Sequence, residues 1–455
     1  MRILLLNPPN IEEMALDAQT VPLGLLFIRS YLQQLDHIVD ILNLYYEKSW
    51  VDVASKLQSK EYDIAGIPCY TQQRFSVFKL ADTCKSVHPS IPIVLGGPHA
   101  TFLDIEILKY IEAIDYIIRG EGELPLAHLL RVLEHDSSQD ISTIRGITYR
   151  NGRNIIRNSN NPQLQDLSLF PKPTYLASEL SNFSDCRSLT FHFHPLQDQG
   201  PIAPILASRG CNNACQFCCN GTFWEKQVYY PPTYVLDQIL DFYINHNIRI
   251  FDFYDDDLPR SKDHIKRLCE LIINNKLNIR WWCSSRSQAL DRTTLMTMRD
   301  AGCFMLSYGI ESGSQRILDH INKNICLEEC RQVINVTKSL DLKVRLTCSI
   351  GNPGETDDSV GDTLKFIFAS KPDQLGLFLT KIYPGTPLCM MAEKQGLIDK
   401  SYWFNREAPN VPFYTADHSI ERLLEYRNTI RRRLKNHIVQ GYTSHVHSIE
   451  LDLKW

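Results

Sequence analysis

Three closely spaced cysteines are the residues of this sequence best suited to chemistry. Cys211, Cys215 and Cys218 have three and then two residues between them. They follow a short apolar run, Ile202 to Ala207, that predicts a strand. Three thiolates in a loop after a strand can bind three corners of an iron–sulfur cube and leave the fourth iron open to a substrate or cofactor. The spacing therefore favours a reactive iron–sulfur cluster.

Two other interpretations of this loop remain open on the loop alone. A Cys-x-x-Cys pair is also half of a zinc site, and Cys219, directly after Cys218, can supply a further thiolate. A cysteine-rich loop without any metal is the third interpretation. The choice depends on the residues further along the chain.

Composition narrows the class of protein. A chain of 455 residues predicts two or three domains, and 44% hydrophobic with 22% charged residues is typical of a soluble globular protein. A formal net charge of −4 gives no electrostatic reason to expect a nucleic-acid partner. No apolar run approaches the roughly 18 residues that a membrane helix needs, so we expect no transmembrane segment.

The remaining cysteines and the start of the chain predict a cytoplasmic protein. The 14 cysteines are scattered and often lie in apolar runs, which does not resemble a disulfide framework. We expect most of them to be buried small hydrophobes in a reducing compartment. Asn7-Pro8-Pro9 interrupts the apolar start too early for an export signal.

Residues 1–135 alternate strand-like runs with helical patterns. Such alternation predicts a parallel sheet with helices on both faces, a Rossmann-like α/β domain. Ligands of these sheets bind beyond the C-terminal strand ends, where turns rich in glycine and proline follow. The strand candidates are Arg2–Leu6, Ile38–Asn43, Tyr62–Pro68, Ile91–Leu95 and Ala113–Ile118.

The turns of this segment, together with residues 21–26, closely resemble the cobalamin-binding domain found ahead of many radical S-adenosylmethionine enzymes. The turns are the 68–71 loop, Gly96-Gly97-Pro98-His99-Ala100-Thr101 and Arg119-Gly120-Glu121-Gly122-Glu123. The resemblance implies that the corrin or its nucleotide tail lies near Pro68, Thr71, Gly96, Gly97, His99 and Glu121.

One departure concerns the cobalt ligand. The Asp-x-His-x-x-Gly pattern that supplies a histidine to cobalt is absent, and His99 lies in a different context. The resemblance therefore implies a cobalt without an assigned protein ligand beneath it. A doubly wound fold that binds a nucleotide, or nothing, is the alternative for this domain.

Residues 136–200 lose this periodicity and predict a linker. Asn151-Gly152 is a turn dipeptide that predicts a hairpin between residues 146–150 and 154–156. Prolines break the stretch from Asp166 to Leu176 into an irregular connector. His192, His194 and Asp198 precede the cysteine loop, and no role is assigned to them.

Residues 201–398 contain six further strand candidates separated by helical patterns. Six βα units predict a partial (βα)6 TIM-type barrel with its site at the C-terminal strand ends. The candidates are Ile202–Ala207, Ile250–Tyr254, Arg280–Ser284, Phe304–Tyr308, Lys343–Ile350 and Gln374–Ile382.

Motifs after three of these strands together resemble a radical S-adenosylmethionine barrel. They are the cysteine loop, Gly309-Ile310-Glu311-Ser312 and the Gly-x-Pro-Gly-Glu-Thr run from Gly351. The resemblance implies a 4Fe–4S cluster on the three cysteines, with S-adenosylmethionine chelating the open iron and yielding a 5′-deoxyadenosyl radical. It also implies cofactor contacts from Phe217 and Gly351 and Pro353 to adenine, from Glu311 and Ser312 to the ribose or methionine part, and from Arg286 to the carboxylate.

Alternatives accompany several of these residues. Arg286 can instead neutralise the run Asp255–Asp257. That run is either a capped turn or a clamp for substrate. Asn352 stands where the family usually has an apolar residue, so contacts at that position are not assigned.

Residues 399–455 predict a short helical C-terminal tail. The pattern from Ile420 to Val439 indicates one helix, and its basic run Arg431-Arg432-Arg433 predicts a solvated face. The tail has no motif that names a substrate.

The two resemblances together imply a cobalamin-dependent methyltransferase that acts on an unactivated carbon of a secondary metabolite, lipid or tetrapyrrole. Its partners would be a small-molecule substrate and a reductant such as flavodoxin or ferredoxin. One alternative keeps the cofactors but performs a radical cyclisation, oxidation or rearrangement. Another is a non-catalytic corrinoid-binding or metal-binding protein.

Overall fold

The computed structural model describes most of the chain. The described residues are 1–11, 22–58, 60–134, 140–176, 179–180, 200–442 and 448–454. His192, His194 and Asp198 lie outside them.

Seventeen strands in these ranges form two large sheets and one small ribbon. The strands are β1 Arg2–Asn7, β2 Ile38–Asn43, β3 Ile64–Pro68, β4 Ile93–Gly96, β5 Tyr116–Ile118, β6 Ile147–Asn151, β7 Asn154–Arg157, β8 Ile202–Ile205, β9 Ser208–Arg209, β10 Val228–Tyr229, β11 Ile250–Phe253, β12 Arg280–Ser285, β13 Cys303–Glu311, β14 Lys343–Ile350, β15 Gln374–Leu379, β16 Ile438–Tyr442 and β17 Ser448–Leu453.

Helices connect most of the parallel strands. They are α1 Leu23–Gln34, α2 Trp50–Leu57, α3 Arg74–Val87, α4 Pro98–Phe102, α5 Asp104–Tyr110, α6 Glu123–Glu134, α7 Asn220–Phe223, α8 Pro232–Asn245, α9 Lys262–Asn274, α10 Arg292–Asp300, α11 Gln315–His320, α12 Leu327–Ser339, α13 Asp357–Ser370, α14 Pro387–Lys394 and α15 Ile420–Arg433.

The first sheet confirms the predicted Rossmann-like domain. Its order is β2-β1-β3-β4-β5-β6-β7, and β1 to β5 are parallel. Leu4 and Leu6 of β1 pack into one core, and Ile3 and Leu5 pack into another on the opposite face. Burial on both faces explains why the strand is an unbroken apolar run. The hairpin at Asn151-Gly152 is also confirmed, and it adds β6 and β7 antiparallel to this sheet.

The second sheet confirms the six parallel strands of the predicted partial barrel. Its order is β16-β17-β15-β14-β13-β12-β11-β8, and β8 with β11 to β15 are parallel. The prediction of a helical tail holds only for α15, which ends at Arg433 and exposes its basic run as expected. Beyond it, β17 pairs antiparallel with β15, and Ile449, Leu451 and Leu453 are buried. Pairing covers an edge of the barrel sheet that would otherwise be open.

The chain after the barrel packs on the Rossmann-like domain. Trp403 and Leu388 share a core with Phe78 and other side chains of that domain, and Trp403 is fully buried. The buried guanidinium of Arg74 donates from Nε to the Trp403 carbonyl at 2.8 Å and from Nη1 to the Asn410 carbonyl at 2.5 Å. The two domains are therefore held together through apolar packing and buried hydrogen bonds.

No helix in the described ranges has the length and apolar character needed to cross a membrane.

Candidate active site

The three cysteines lie in one loop between β9 and α7. Gly210 opens this loop with φ +86°, and a Cβ there would approach the Lys226 carbonyl oxygen to 2.7 Å, so glycine is required. Cys215 is buried, Cys211 and Cys218 are half-buried, and all three are free thiols. The turn thus brings three thiols to the end of the first barrel strand.

Each of the three sulfur atoms accepts a hydrogen bond from a neighbouring nitrogen. The bonds run from Asn213 Nδ2 to Cys211 Sγ at 3.2 Å, from the Asn220 N–H to Cys218 Sγ at 3.4 Å, and from Arg286 Nη1 to Cys215 Sγ at 3.5 Å. Donors of this kind stabilise thiolates and tune the potential of a cluster that they bind. The donor set therefore fits a cluster held by three protein thiolates.

Cys219, the extra thiolate of the zinc interpretation, lies half-buried at the start of α7. Its carbonyl oxygen accepts the N–H groups of Thr222 at 3.0 Å and Phe223 at 2.8 Å. In the described part of the chain, no three His, Cys, Asp or Glu side chains are arranged to hold a single metal ion. Cys219 shares the environment of Cys218 and provides a matched control for it.

Arg286 is directed at the cluster loop. Its guanidinium is buried, with Nη1 near Cys215 Sγ and Nη2 3.5 Å from the Asn324 carbonyl oxygen. Its contact with the aspartate run is made by the backbone, since the Arg286 N–H donates to Asp257 Oδ1 at 3.0 Å. The side chain therefore lies beside the cysteines, where the sequence analysis expects a cofactor carboxylate.

Two of the three aspartates after β11 accept hydrogen bonds from backbone N–H groups. Asp255 is buried and accepts from the Ala207 N–H at 3.0 Å and from the Ser208 hydroxyl, which ties the end of β11 to the end of β8. Burial raises the pKa of Asp255 to about 7, although these two donors oppose the shift. Asp257 accepts from Arg286, and only Asp256 is exposed. These contacts favour the turn interpretation for Asp255 and Asp257.

Glu311 occupies a strained position at the end of β13. Its φ of +67° lies in the left-handed region, and a bulge shifts the register with β14 at this point. Glu311 Oε1 accepts from Lys323 Nζ at 2.8 Å, and the same ammonium lies 5.8 Å from the centre of the Phe217 ring. Lys323, which the sequence analysis missed, therefore connects two of the predicted cofactor contacts.

Ser312 takes a scaffold position. It is fully buried, its hydroxyl lies 3.4 Å from Thr363 Oγ1, and it accepts the Ser314 N–H at 3.2 Å. These contacts hold the Ser312 hydroxyl in the turn after Glu311, and its cofactor contact stays a prediction.

The loop after β14 is shaped by two polar side chains. Gly351 has φ +87°, and its N–H donates to Glu355 Oε2 at 2.5 Å. Asn352 Oδ1 accepts from Ser349 Oγ at 3.2 Å and from Thr380 Oγ1 at 3.1 Å, which ties the ends of β14 and β15 together. Pro353 is buried in the same loop. Asn352 thus has a structural reason to be polar.

A cavity of about 270 Å³ opens at the C-terminal ends of the barrel strands. Its lining includes Phe217 from the cysteine loop, Glu311 from β13 and Lys381 from the end of β15. Tyr383 also lines it, and the Tyr383 hydroxyl accepts from Gln72 Nε2 of the Rossmann-like domain at 3.0 Å. The cavity therefore lies beside both the cysteine loop and a loop of the other domain.

Some of the predicted cobalamin contacts lie in loops at the C-terminal strand ends, and the others, His99 and Glu121, are buried among other side chains. Pro68, Gly96 and Gly97 lie at the C-terminal ends of β3 and β4, as expected. Gly97 has φ +88°, and a Cβ there would approach the Cys69 carbonyl oxygen to 3.0 Å, so the two loops pack backbone against backbone. Thr71 is buried, and its hydroxyl lies 3.1 Å from His99 Nδ1.

His99 is a core residue in this structure. It is fully buried, and its ring lies 6.0 Å from that of Trp403 and 6.4 Å from that of Phe78. Burial, assisted by Arg74, lowers the pKa of His99 to about 3, so the imidazole is neutral. Aromatic side chains lie near the ring, its Nε2 atom has no hydrogen-bond partner among the described residues, and the cobalamin contact of His99 stays a prediction.

Glu121 is also engaged elsewhere. Its Oε1 lies 3.0 Å from Arg209 Nη1 and its Oε2 accepts the Leu164 N–H at 2.9 Å. Arg209 Nη2 lies 2.8 Å from Glu123 Oε1, and Arg209 Nε donates to the Tyr230 hydroxyl at 3.0 Å. Both carboxylates of the Gly-Glu-Gly-Glu turn therefore bind the arginine that precedes Gly210, and the cobalamin contact of Glu121 stays a prediction.

Arg209 and its two carboxylate partners, Glu121 and Glu123, form a buried triad in which each carboxylate favours the charged guanidinium. Burial lowers the pKa of Arg209, but Glu123, Tyr230 and Glu121 outweigh it and raise the pKa overall. Burial raises the pKa of Glu121, while Arg209 and the Leu164 N–H oppose that shift. The guanidinium therefore remains charged and links the first domain to the cysteine loop.

Comparison with known proteins gives two matching families. The family model of the Radical SAM superfamily matches residues 205–367, and that of the B12 binding domain matches residues 15–130. An uncharacterized methyltransferase of Pyrococcus horikoshii is 26% identical over 407 residues, which cover 89% of this chain and 85% of that protein.

One further relative is a longer protein, and one solved structure has a lower sequence identity to this chain. The anaerobic magnesium-protoporphyrin IX monomethyl ester cyclase of Cereibacter sphaeroides is 26% identical over 77% of this chain, which spans 56% of the cyclase. The structure of the radical S-adenosylmethionine methyltransferase TsrM from Kitasatospora setae, with cobalamin and an iron–sulfur cluster bound, has a TM-score of 0.71 at 16% identity and covers 87% of this chain and 78% of TsrM. This last likeness shows that the two proteins share a fold.

The cysteine loop predicts a difference between two neighbouring thiols. We expect the Cys218→Ala variant, after anaerobic reconstitution with iron and sulfide, to lose the cluster and its absorbance. The matched Cys219→Ala variant should retain about four irons per chain, as the unchanged protein does. Iron loss of equal size in both variants would contradict the assignment of three ligands.

The buried triad predicts a large loss of stability in Arg209→Met. Removal of the guanidinium leaves two buried carboxylates without their partner, which costs about 3–5 kcal/mol. The control is Lys262→Met, whose ion pair with Asp291 at 3.0 Å is 45% exposed on both sides and contributes about 0–1 kcal/mol. Thermal unfolding compares the variants, and equal shifts would refute the role of Arg209.

Glu355 predicts a pH dependence of stability. Burial raises its pKa from 4.5 to about 7, against the N–H groups of Gly351 and Asn352. The folded protein therefore keeps this proton where the unfolded chain has lost it, so stability falls as the pH rises from 4.5 to about 7. The Glu355→Gln variant should show a shallower fall in thermal midpoint across this window. A slope identical to that of the unchanged protein would contradict the raised pKa.

Proposed function

We propose that this chain is a methyltransferase acting on an unactivated carbon, because the family models of the Radical SAM superfamily and of the B12 binding domain both match it. Such a carbon has no lone pair and no acidic proton, so polar methyl transfer is closed to it. When bound, the cluster and S-adenosylmethionine supply a radical that abstracts hydrogen, and cobalamin supplies the methyl group. Hydrogen abstraction requires no acid–base pair from the protein.

The position of the cavity is the observation that supports this proposal. Phe217, two residues after the buried Cys215, and Tyr383, which is bonded to Gln72 of the B12-binding domain, line the same space. Burial raises the pKa of Tyr383 to about 12, so its hydroxyl stays protonated. A substrate in this space would be within reach of groups bound by both domains.

We assign the following roles to residues of this chain. Cys211, Cys215 and Cys218 hold the cluster, and Arg286 binds the carboxylate of S-adenosylmethionine beside Cys215. Glu311 binds the ribose or methionine part while Lys323 fixes its orientation. The loop of Gly351 and Pro353 approaches adenine, with Phe217 close to the same ring. Pro68, Thr71, Gly96 and Gly97 form the loops that approach the corrin.

A second function is favoured by one relative. The Cereibacter sphaeroides protein is named as a cyclase, and it resembles this chain at the same 26% identity as the methyltransferase of Pyrococcus horikoshii. A radical cyclisation, oxidation or rearrangement without methyl transfer would use the same cavity. The mass of the product separates the two functions, because methyl transfer adds one methyl group.

The substrate class and the setting complete the proposal. A secondary metabolite, lipid or tetrapyrrole would enter the cavity, and flavodoxin or ferredoxin would supply electrons to the cluster. A reducing cytoplasm would keep the cluster thiols available for iron.

The proposal predicts both a bound corrinoid and transfer of the methyl label. The full chain, reconstituted anaerobically with iron, sulfide and hydroxocobalamin, should retain a stoichiometric corrinoid after gel filtration. With methyl-labelled S-adenosylmethionine and a candidate substrate, a product heavier by one labelled methyl group should appear. Cys215→Ala provides the control without the radical. Product formed without the label would favour the second function, and a chain without corrinoid would contradict the first.

A further inference from the structure

Lys381 lies at the end of β15 and lines the cavity. Its side chain is half-buried, and burial lowers its pKa. A lysine in such a position loses hydration of its ammonium group, which is costly unless another group compensates for it. The ammonium of Lys381 therefore needs a group that compensates for this loss.

Among the described residues, no carboxylate forms an ion pair with Lys381. The contacts of Lys381 within those ranges are the ring of Phe413, 5.7 Å from Nζ, and a backbone bridge to the same residue. A cation–π contact leaves the ammonium hydrogens without acceptors. Lys381 thus differs from the buried Lys323, whose ammonium is bound by Glu311.

The charges at the cavity, counted together with Lys323, leave an excess positive charge. Glu311 is the carboxylate of the lining, and Lys323 already neutralises it at 2.8 Å. Lys381 therefore adds a positive charge that no described side chain of the lining balances. The nearby Thr380 hydroxyl is also committed, since it donates to Asn352.

We propose that Lys381 binds an anionic oxygen group of the substrate, a carboxylate or a phosphate. The inference rests on the proposed function, because that function places a substrate in the cavity between Phe217 and Tyr383. The carboxylate of S-adenosylmethionine is assigned to Arg286, whose guanidinium lies beside Cys215. The ammonium of Lys381 is thus available to the second ligand, and its three donors suit either type of oxygen group.

Protection from chemical modification tests this proposal with the full reconstituted chain. Under anaerobic conditions, ethyl acetimidate amidinates accessible amines, and mass spectrometry of peptides measures the extent at each lysine. The protein is saturated with S-adenosylhomocysteine, and the added probes are inorganic phosphate, acetate and the neutral acetamide at equal concentration. Lys365, which is 81% exposed and lies on α13, is the internal reference. Lys381→Met, with iron content checked, confirms the assignment of the peptide.

We expect S-adenosylhomocysteine alone to leave Lys381 reactive, and phosphate or acetate to reduce its amidination several-fold. Lys365 should not change, and acetamide should have no effect. The protecting probe identifies the oxygen group. Protection by S-adenosylhomocysteine alone would assign Lys381 to the cofactor and overturn the proposal, as would failure of both anions to protect. If anions protect but no methyl label is transferred, the proposed function fails while the anion site stands.

Discussion

The buried ion pairs of Arg209 are the constraint on which the arrangement of this protein depends. The arginine belongs to the run that leads into the cysteine loop, and both of its carboxylate partners belong to the first domain. Separate burial of these charges would be strongly unfavourable, so the ion pairs favour the arrangement in which the first domain meets the cysteine loop. The rings of Phe27, Phe170 and Tyr230 surround the guanidinium at 5.1 to 5.8 Å and keep water from the pairs. The position of the cysteine loop is thereby coupled to the position of the B12-binding domain.

Much of the fold was predictable because its strands are buried on both faces. In a parallel sheet covered by helices, apolar runs such as residues 3–6 stand out against the helical patterns between them. The C-terminal hairpin was harder to predict because a charged helix dominates that part of the sequence. The alternation of Ile449, Leu451 and Leu453 with polar residues is a strand signal, and only the open edge beside β15 explains its use.

The site was predictable where its residues are close together in sequence. The cysteines occupy one loop, so their spacing alone indicates a shared ligand. Contacts between residues far apart in sequence leave no such signal, and contacts of this kind determine the surroundings of Glu121 and His99. Both residues lie in turns at the expected edge of the sheet, yet Glu121 forms an ion pair with Arg209 and His99 packs against Trp403. Lys323 and Lys381 were missed for the same reason, since only the fold brings Lys323 to Glu311 and Lys381 to the cavity.

The two sheets explain why a single cavity can lie beside both domains. In each sheet the ligand-binding loops follow the C-terminal ends of parallel strands, so each domain has one reactive edge. Gln72 follows β3 and Tyr383 follows β15, and the hydrogen bond between them shows that these two edges face each other. A methyl donor on one edge and a radical source on the other would then both be close to one substrate. Reactive groups so placed need no diffusible intermediate.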